Sequence, residues 1–106
     1  MPDFSKIISK RLGITEGQIF NTIALLEQGA TIPFISRYRK EVTGSLDEEQ
    51  ITAIRDELSK LKELEKRRQT VLNTIEEQGK LTPELREKIE KCESSTELED
   101  LYRPYK

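Results

Sequence analysis

Residues 46–79 read LDEEQITAIRDELSKLKELEKRRQTVLNTIEEQG, and the reading of this stretch decides the fold. Apolar side chains recur at Ile51, Ile54, Leu58, Leu61, Leu64, Val71, Leu72 and Ile75, the three- and four-residue spacing of one helical face. Asp47 and Gln50 form a capping pair, and Leu46 and Ile51 stand where a hydrophobic staple ties the entering chain to the first turn. No Gly or Pro intervenes before Gly79, so the pattern predicts one helix from about 47 to 78. At 1.5 Å per residue it would be roughly 45 Å long. Glu65 and Arg68 interrupt the stripe midway. A coiled coil would need unbroken heptad seams there. The expectation is instead a spine helix with a small core at each end and a polar waist.

Upstream, Asp3 through Leu12 reads as a short helix with Phe4, Ile7, Ile8 and Leu12 on one face, and Gly13 fits just past its end. Thr15 with Gln18 spells a capping box for a second helix, and Ile14 with Ile19 a staple. Ile19, Ile23 and Leu26 supply the buried stripe of that helix, which stops at Gln28-Gly29. Thr31-Ile32-Pro33 opens a third helix, because the N–H that proline lacks has no partner in a first turn. Ile35, Tyr38 and Val42 are expected on one face of it, and Thr43-Gly44-Ser45 closes the unit.

Downstream, Thr82-Pro83 caps a helix whose narrow apolar face is Leu85, Ile89 and Cys92. Thr96 and Glu99 spell a further capping box, for a last helix carrying Leu98, Leu101 and Tyr102 and stopped by Pro104. No segment alternates with the period of a strand. The sequence therefore predicts an all-α fold in three parts: short helices with a helix-turn-helix outline over 1–44, the spine over 45–79, and two short helices over 80–106, with an open end at Lys106 that leads into further chain.

Composition narrows the function. The 106 residues carry 18 basic and 20 acidic side chains, a net charge of −2, whereas a free-standing nucleic-acid binder normally has a basic excess. The absence of histidine and the single cysteine, Cys92, exclude Ser-His-Asp and Cys-His nucleophiles and ordinary zinc sites within the chain. Cys92 reads as a small core residue. The carboxylates interleave with Lys and Arg on helices, the pattern of a solvated charged face, so no cofactor, metal or enzymatic activity is expected. No apolar run approaches the ~18 residues of a membrane helix, and the default expectation is a cytoplasmic protein.

Two local features could bind something. Arg37-Tyr38-Arg39-Lys40 sets three cations around an aromatic ring, on or near what would be the recognition helix of a helix-turn-helix. Such a group can contact phosphates and stack on a base. At the other end, Tyr102 and Tyr105 flank Pro104 and are candidates for docking against another domain.

The run Ala30–Glu48, ATIPFISRYRKEVTGSLDE, strongly resembles the N-terminal region of the bacterial Tex proteins, which are RNA-binding transcription accessory factors. Collinear matches follow at 64–68 (LEKRR), 75–82 (IEEQGKLT) and 96–106 (TELEDLYRPYK), with Ser36 standing where the family often has Ala. The resemblance implies a much longer protein that continues into RNase H-like, helix-hairpin-helix and OB-fold domains, with nucleic-acid affinity chiefly in the OB-fold. On this reading the chain is an N-terminal scaffold and interaction module. Its partners are those domains, RNA or DNA through the full-length protein, and the transcription machinery. The rival reading is a helix-turn-helix that binds nucleic acid directly through residues 37–40.

Overall fold

The computed structural model describes residues 4–106, so the predicted helix start at Asp3 lies outside the described residues. The described residues form α1 (Phe4–Leu12), α2 (Glu16–Glu27), α3 (Ile32–Tyr38), α4 (Lys40–Thr43), α5 (Glu48–Glu77), α6 (Pro83–Lys91), α7 (Ser95–Tyr102) and a 3₁₀ turn, Arg103–Tyr105. There is no strand among them; the fold is all-α. Packing separates into two compact units, the first ending at Lys60 and the second running Leu61–Lys106.

The core of the first unit is Ile8, Ile14, Ile19, Ile35, Leu46, Ile51, Ile54 and Leu58, all buried. Both staples are therefore closed, since each pairs two members of this set. Asp47 and Gln50 make the full reciprocal box at the start of α5: Gln50 N–H donates to Asp47 Oδ1 at 2.8 Å, and Asp47 N–H donates to Gln50 Oε1 at 3.1 Å. The box predicted at Thr15 forms only halfway. Thr15 Oγ1 accepts from Gln18 N–H, but the Gln18 amide turns away and donates to the carbonyls of Thr43 and Gly44, at 3.0 and 3.4 Å. Asn21 Nδ2 likewise donates to Val42 O at 3.0 Å. These carbonyls are orphans at the end of α4, so the α2 amides take the place of a further helical turn. The approach is close: a Cβ on Gly44, whose φ is +71°, would meet Gln18 Nε2 at 2.6 Å.

This tie explains a departure from the expected third helix. The helix breaks at Arg39 (φ −128°, ψ 31°), and the chain restarts as the four-residue α4, aimed at the α2 amides. Ile35, Tyr38 and Val42 consequently do not share a buried face: Ile35 is buried, Val42 half-buried and Tyr38 61% exposed.

In the second unit Leu61, Leu64, Val71, Leu72, Ile75, Ile89, Cys92 and Leu98 are buried. The expected polar waist is absent as such, because Arg68 is only 8% exposed. Arg68 belongs to the stripe, between Leu64 and Val71. Its Nε donates to Ile89 O at 3.0 Å, its Nη2 to Cys92 O, and its Nη1 to the Glu65 carboxylate. The guanidinium thus satisfies carbonyls at the C-terminal end of α6, where a positive charge also suits the helix dipole. Thr82 caps α6 as predicted, accepting from Leu85 N–H at 3.1 Å. The cap of α7 is Ser94, not Thr96: Ser94 Oγ accepts from Glu97 N–H at 3.3 Å. Glu99, assigned by its spacing to a box with Thr96, instead faces Arg67 on α5.

Candidate functional site

The sequence-predicted cations sit on a small ledge built by local rules. Helix α2 ends in a Schellman motif, with Ala30 N–H donating to Leu25 O, Gly29 N–H to Leu26 O, and Gly29 at φ +90°. Thr31 then caps α3 by accepting from Phe34 N–H at 3.3 Å, and Ile35 anchors the helix in the core. With Ile35 turned inward, Phe34, Arg37 and Tyr38 face outward.

Phe34 and Tyr38, one helical turn apart, hold their ring centroids 5.4 Å apart at an interplanar angle of 47°. Arg39 lays its guanidinium over the Phe34 ring, 4.9 Å from the centroid, and its Nη1 donates to Tyr38 O at 3.0 Å. Arg37 and Lys40 are exposed and have no carboxylate partner among the described residues. Of the four residues picked from sequence, Tyr38 and Arg39 meet through Phe34, while Arg37 and Lys40 flank them without contact. Phe34 was missed. Its signal was the i, i+4 spacing to Tyr38, but a phenylalanine beside a proline cap reads most simply as core.

The other predicted residues lie on the second unit. The Tyr102 ring is covered by Arg67, 5.2 Å from its centroid, and by Lys106 at 5.7 Å. Glu99 accepts from Arg67 through both oxygens, at 2.6 and 3.2 Å, with Lys106 Nζ at 3.6 Å. The hydrogen bond from Arg67, then the attraction of Arg67 and Lys106, hold the Glu99 carboxyl below the usual glutamate range, against a smaller opposing effect of desolvation. The same bond raises the Arg67 guanidinium. Tyr105 enters through its backbone, its carbonyl accepting from Gln78 Nε2 at 2.7 Å. This cluster fastens the 3₁₀ turn to α5 and leaves Tyr102 and Tyr105 half-buried.

Neither cluster has the makings of a reaction centre. Among the described residues no three His, Cys, Asp or Glu side chains gather as a metal ion would need, and no helix is long and apolar enough to cross a membrane. Burial raises the Cys92 thiol above its ordinary range, the direction of an inert core cysteine.

The family described as Tex-like protein N-terminal domain matches residues 2–76. The chain belongs to that family. Among Tex relatives, the transcriptional accessory protein Tex of Neisseria gonorrhoeae is 51% identical over 98% of this chain, and protein YhgF of Escherichia coli 50% identical over 97%. The human S1 RNA-binding domain-containing protein 1 is 32% identical over 98% of the chain. The chain spans only 14%, 13% and 10% of the lengths of these three proteins, so each has further domains beyond the segment that matches. The gonococcal relative is named for transcription rather than for a reaction.

Proposed function

We propose that this chain is the N-terminal helical scaffold and interaction module of a Tex-like, RNA-binding transcription accessory protein of the cytoplasm. It has no catalysis of its own and makes at most weak contact with nucleic acid. One observation carries this reading: the chain matches nearly end to end a segment that is 14% of a relative named as a transcriptional accessory protein. The charge pattern supports it, since most carboxylate-facing arginines are engaged in tying helices together rather than in lining a cleft. The partners are the other domains of the same protein, on the family resemblance RNase H-like, helix-hairpin-helix and OB-fold, which bring RNA or DNA with them. The half-buried Tyr102 and Tyr105 offer edges for that docking, and a component of the transcription machinery is a further partner.

The test is association in trans. The gonococcal relative lacking the segment matched by this chain is titrated with the chain in a calorimeter. A scaffold predicts saturable 1:1 binding, weakened by Tyr102→Ala. Absence of any heat of association at the highest workable concentrations sinks the reading.

A further inference from the structure

We propose that the outer face of α3, with Phe34, Arg37, Tyr38 and Arg39 and with Lys40 just beyond, is a platform for single-stranded nucleic acid. The inference rests on the ledge alone and stands whether or not the chain also docks on other domains.

Phe34 and Tyr38 are 39% and 61% exposed, two of the large apolar side chains that the fold leaves outside, and they share one helical turn. The cations beside them are uncommitted. Arg11, Arg55, Arg67, Arg68, Arg86 and Arg103 each lie beside a carboxylate. Arg37 and Arg39, the remaining arginines, do not, and both are on this ledge. No Asp or Glu occurs between Glu27 and Glu41, so a chain of net charge −2 carries here a local island of three positive charges. Nothing in the folded unit neutralises it.

The occupant follows from the chemistry. Exposed rings flanked by cations bind single strands, because every unpaired base offers a π-face and every linkage a phosphate. The Arg39 guanidinium, held flat over Phe34 and tied to the Tyr38 carbonyl, extends the stacking surface without needing to be ordered on binding. Arg37 and Lys40 are free to take phosphates. Duplex fits poorly: base pairs hide their faces, and major-groove readout needs a helix that presents polar side chains to base edges. Here the candidate helix is seven residues long, breaks at Arg39, and presents rings instead.

The experiment is fluorescence anisotropy of the 106-residue chain with a labelled mixed-sequence single-stranded RNA 12-mer, its DNA counterpart and the matching DNA duplex, over a range of salt. The platform predicts binding to both single strands at low salt and weaker binding to duplex. Tyr38→Ala weakens strand binding by about five- to a hundred-fold, the range for losing one stacked base, and Tyr38→Phe preserves it. Arg37→Gln with Lys40→Gln lowers the slope of log affinity against log salt by about 1.4, or about 0.7 per lost phosphate contact. Lys91→Gln with Arg103→Gln removes equal charge from the second unit and leaves binding unchanged. Should Tyr38→Ala lose its helical circular dichroism, the Phe variant and the two charge pairs still decide. Four results overturn the proposal: no binding at low salt, duplex bound as tightly as single strand, equal loss in the two charge pairs, or displacement of the strand by polyglutamate at matched charge. The last would make the ledge a dock for acidic protein segments.

Discussion

Replacement of Arg68 probes the least expected contact in the molecule. Arg68→Ala removes a guanidinium that is 8% exposed and donates to two backbone carbonyls and a carboxylate. Ile89 O keeps a second donor, Cys92 N–H at 3.3 Å, but Cys92 O loses its side-chain partner. Charge-assisted bonds contribute about 1.5–3 kcal/mol each and a stranded buried carbonyl costs about 1–3 kcal/mol. Glu65 is partly open to water, so its share is discounted. With the small cavity left by the stem, the loss should be about 3–5 kcal/mol. At a urea m-value of about 1.5 kcal/mol/M this moves the midpoint down by about 2–3 M. Arg68→Met restores the apolar volume but no donor, and Arg68→Lys restores one donor without the fork. The order of stability should be wild type, Lys, Met, Ala, with hydrogen-exchange protection lost first in α6. If Arg68→Met proves as stable as wild type, the carbonyls did not need the guanidinium and the reasoning fails.

Other perturbations test the remaining contacts. Gly13 and Gly44 share a positive φ, but only Gly44 lies against Gln18, so Gly44→Ala should cost more than the roughly 1 kcal/mol expected of Gly13→Ala. Thermal melts in a Gln18→Ala background should close that gap, and a gap that persists would assign the cost elsewhere. Thr82→Ala should lose about 1 kcal/mol through the α6 cap, against no loss for Thr82→Ser. Because Glu99 titrates below its unfolded value, its contribution is present above the ordinary glutamate range and lost as pH falls through the lowered native value. Acid melts of Glu99→Gln should therefore be flatter than wild type over that window; parallel curves would refute the link. Finally, Cys92 should react with a thiol reagent far more slowly in the native protein than in urea, and equal rates would contradict its burial.

The helices were legible because their signals are local. Apolar spacing, Thr15, Thr31, Asp47 and Thr82 as caps, and the glycines after α2 and α5 each act within a few residues of where they are read. What misled was competition for a side chain across the fold. Gln18 has the spacing of a capping box, yet the carbonyls of α4 are better acceptors than Thr15 N–H is a donor to it. Ser94-x-x-Glu97 and Thr96-x-x-Glu99 spell the same box, and the tie is broken only by Arg67, far away on α5. Arg68 on an apolar stripe looks like an interruption until the carbonyls at the end of α6 arrive beside it. At the ledge the cations could be found by inspection, whereas the break at Arg39, which exposes Tyr38, could not, because α2 imposes it.

The manner in which α4 is held separates two responses to ionic strength. A helix of four residues has no stability of its own. It stays in place through the neutral amides of Gln18 and Asn21, whose bonds mobile ions do not screen. The second unit relies on charge for the same task, in Arg67 with Glu99 and Lys106 and in Arg86 with Glu76. Added salt therefore loosens the C-terminal turn while the end of α3 keeps its shape. A salt titration at the ledge thus measures ions exchanging with a ligand, uncontaminated by melting of the surface that binds it.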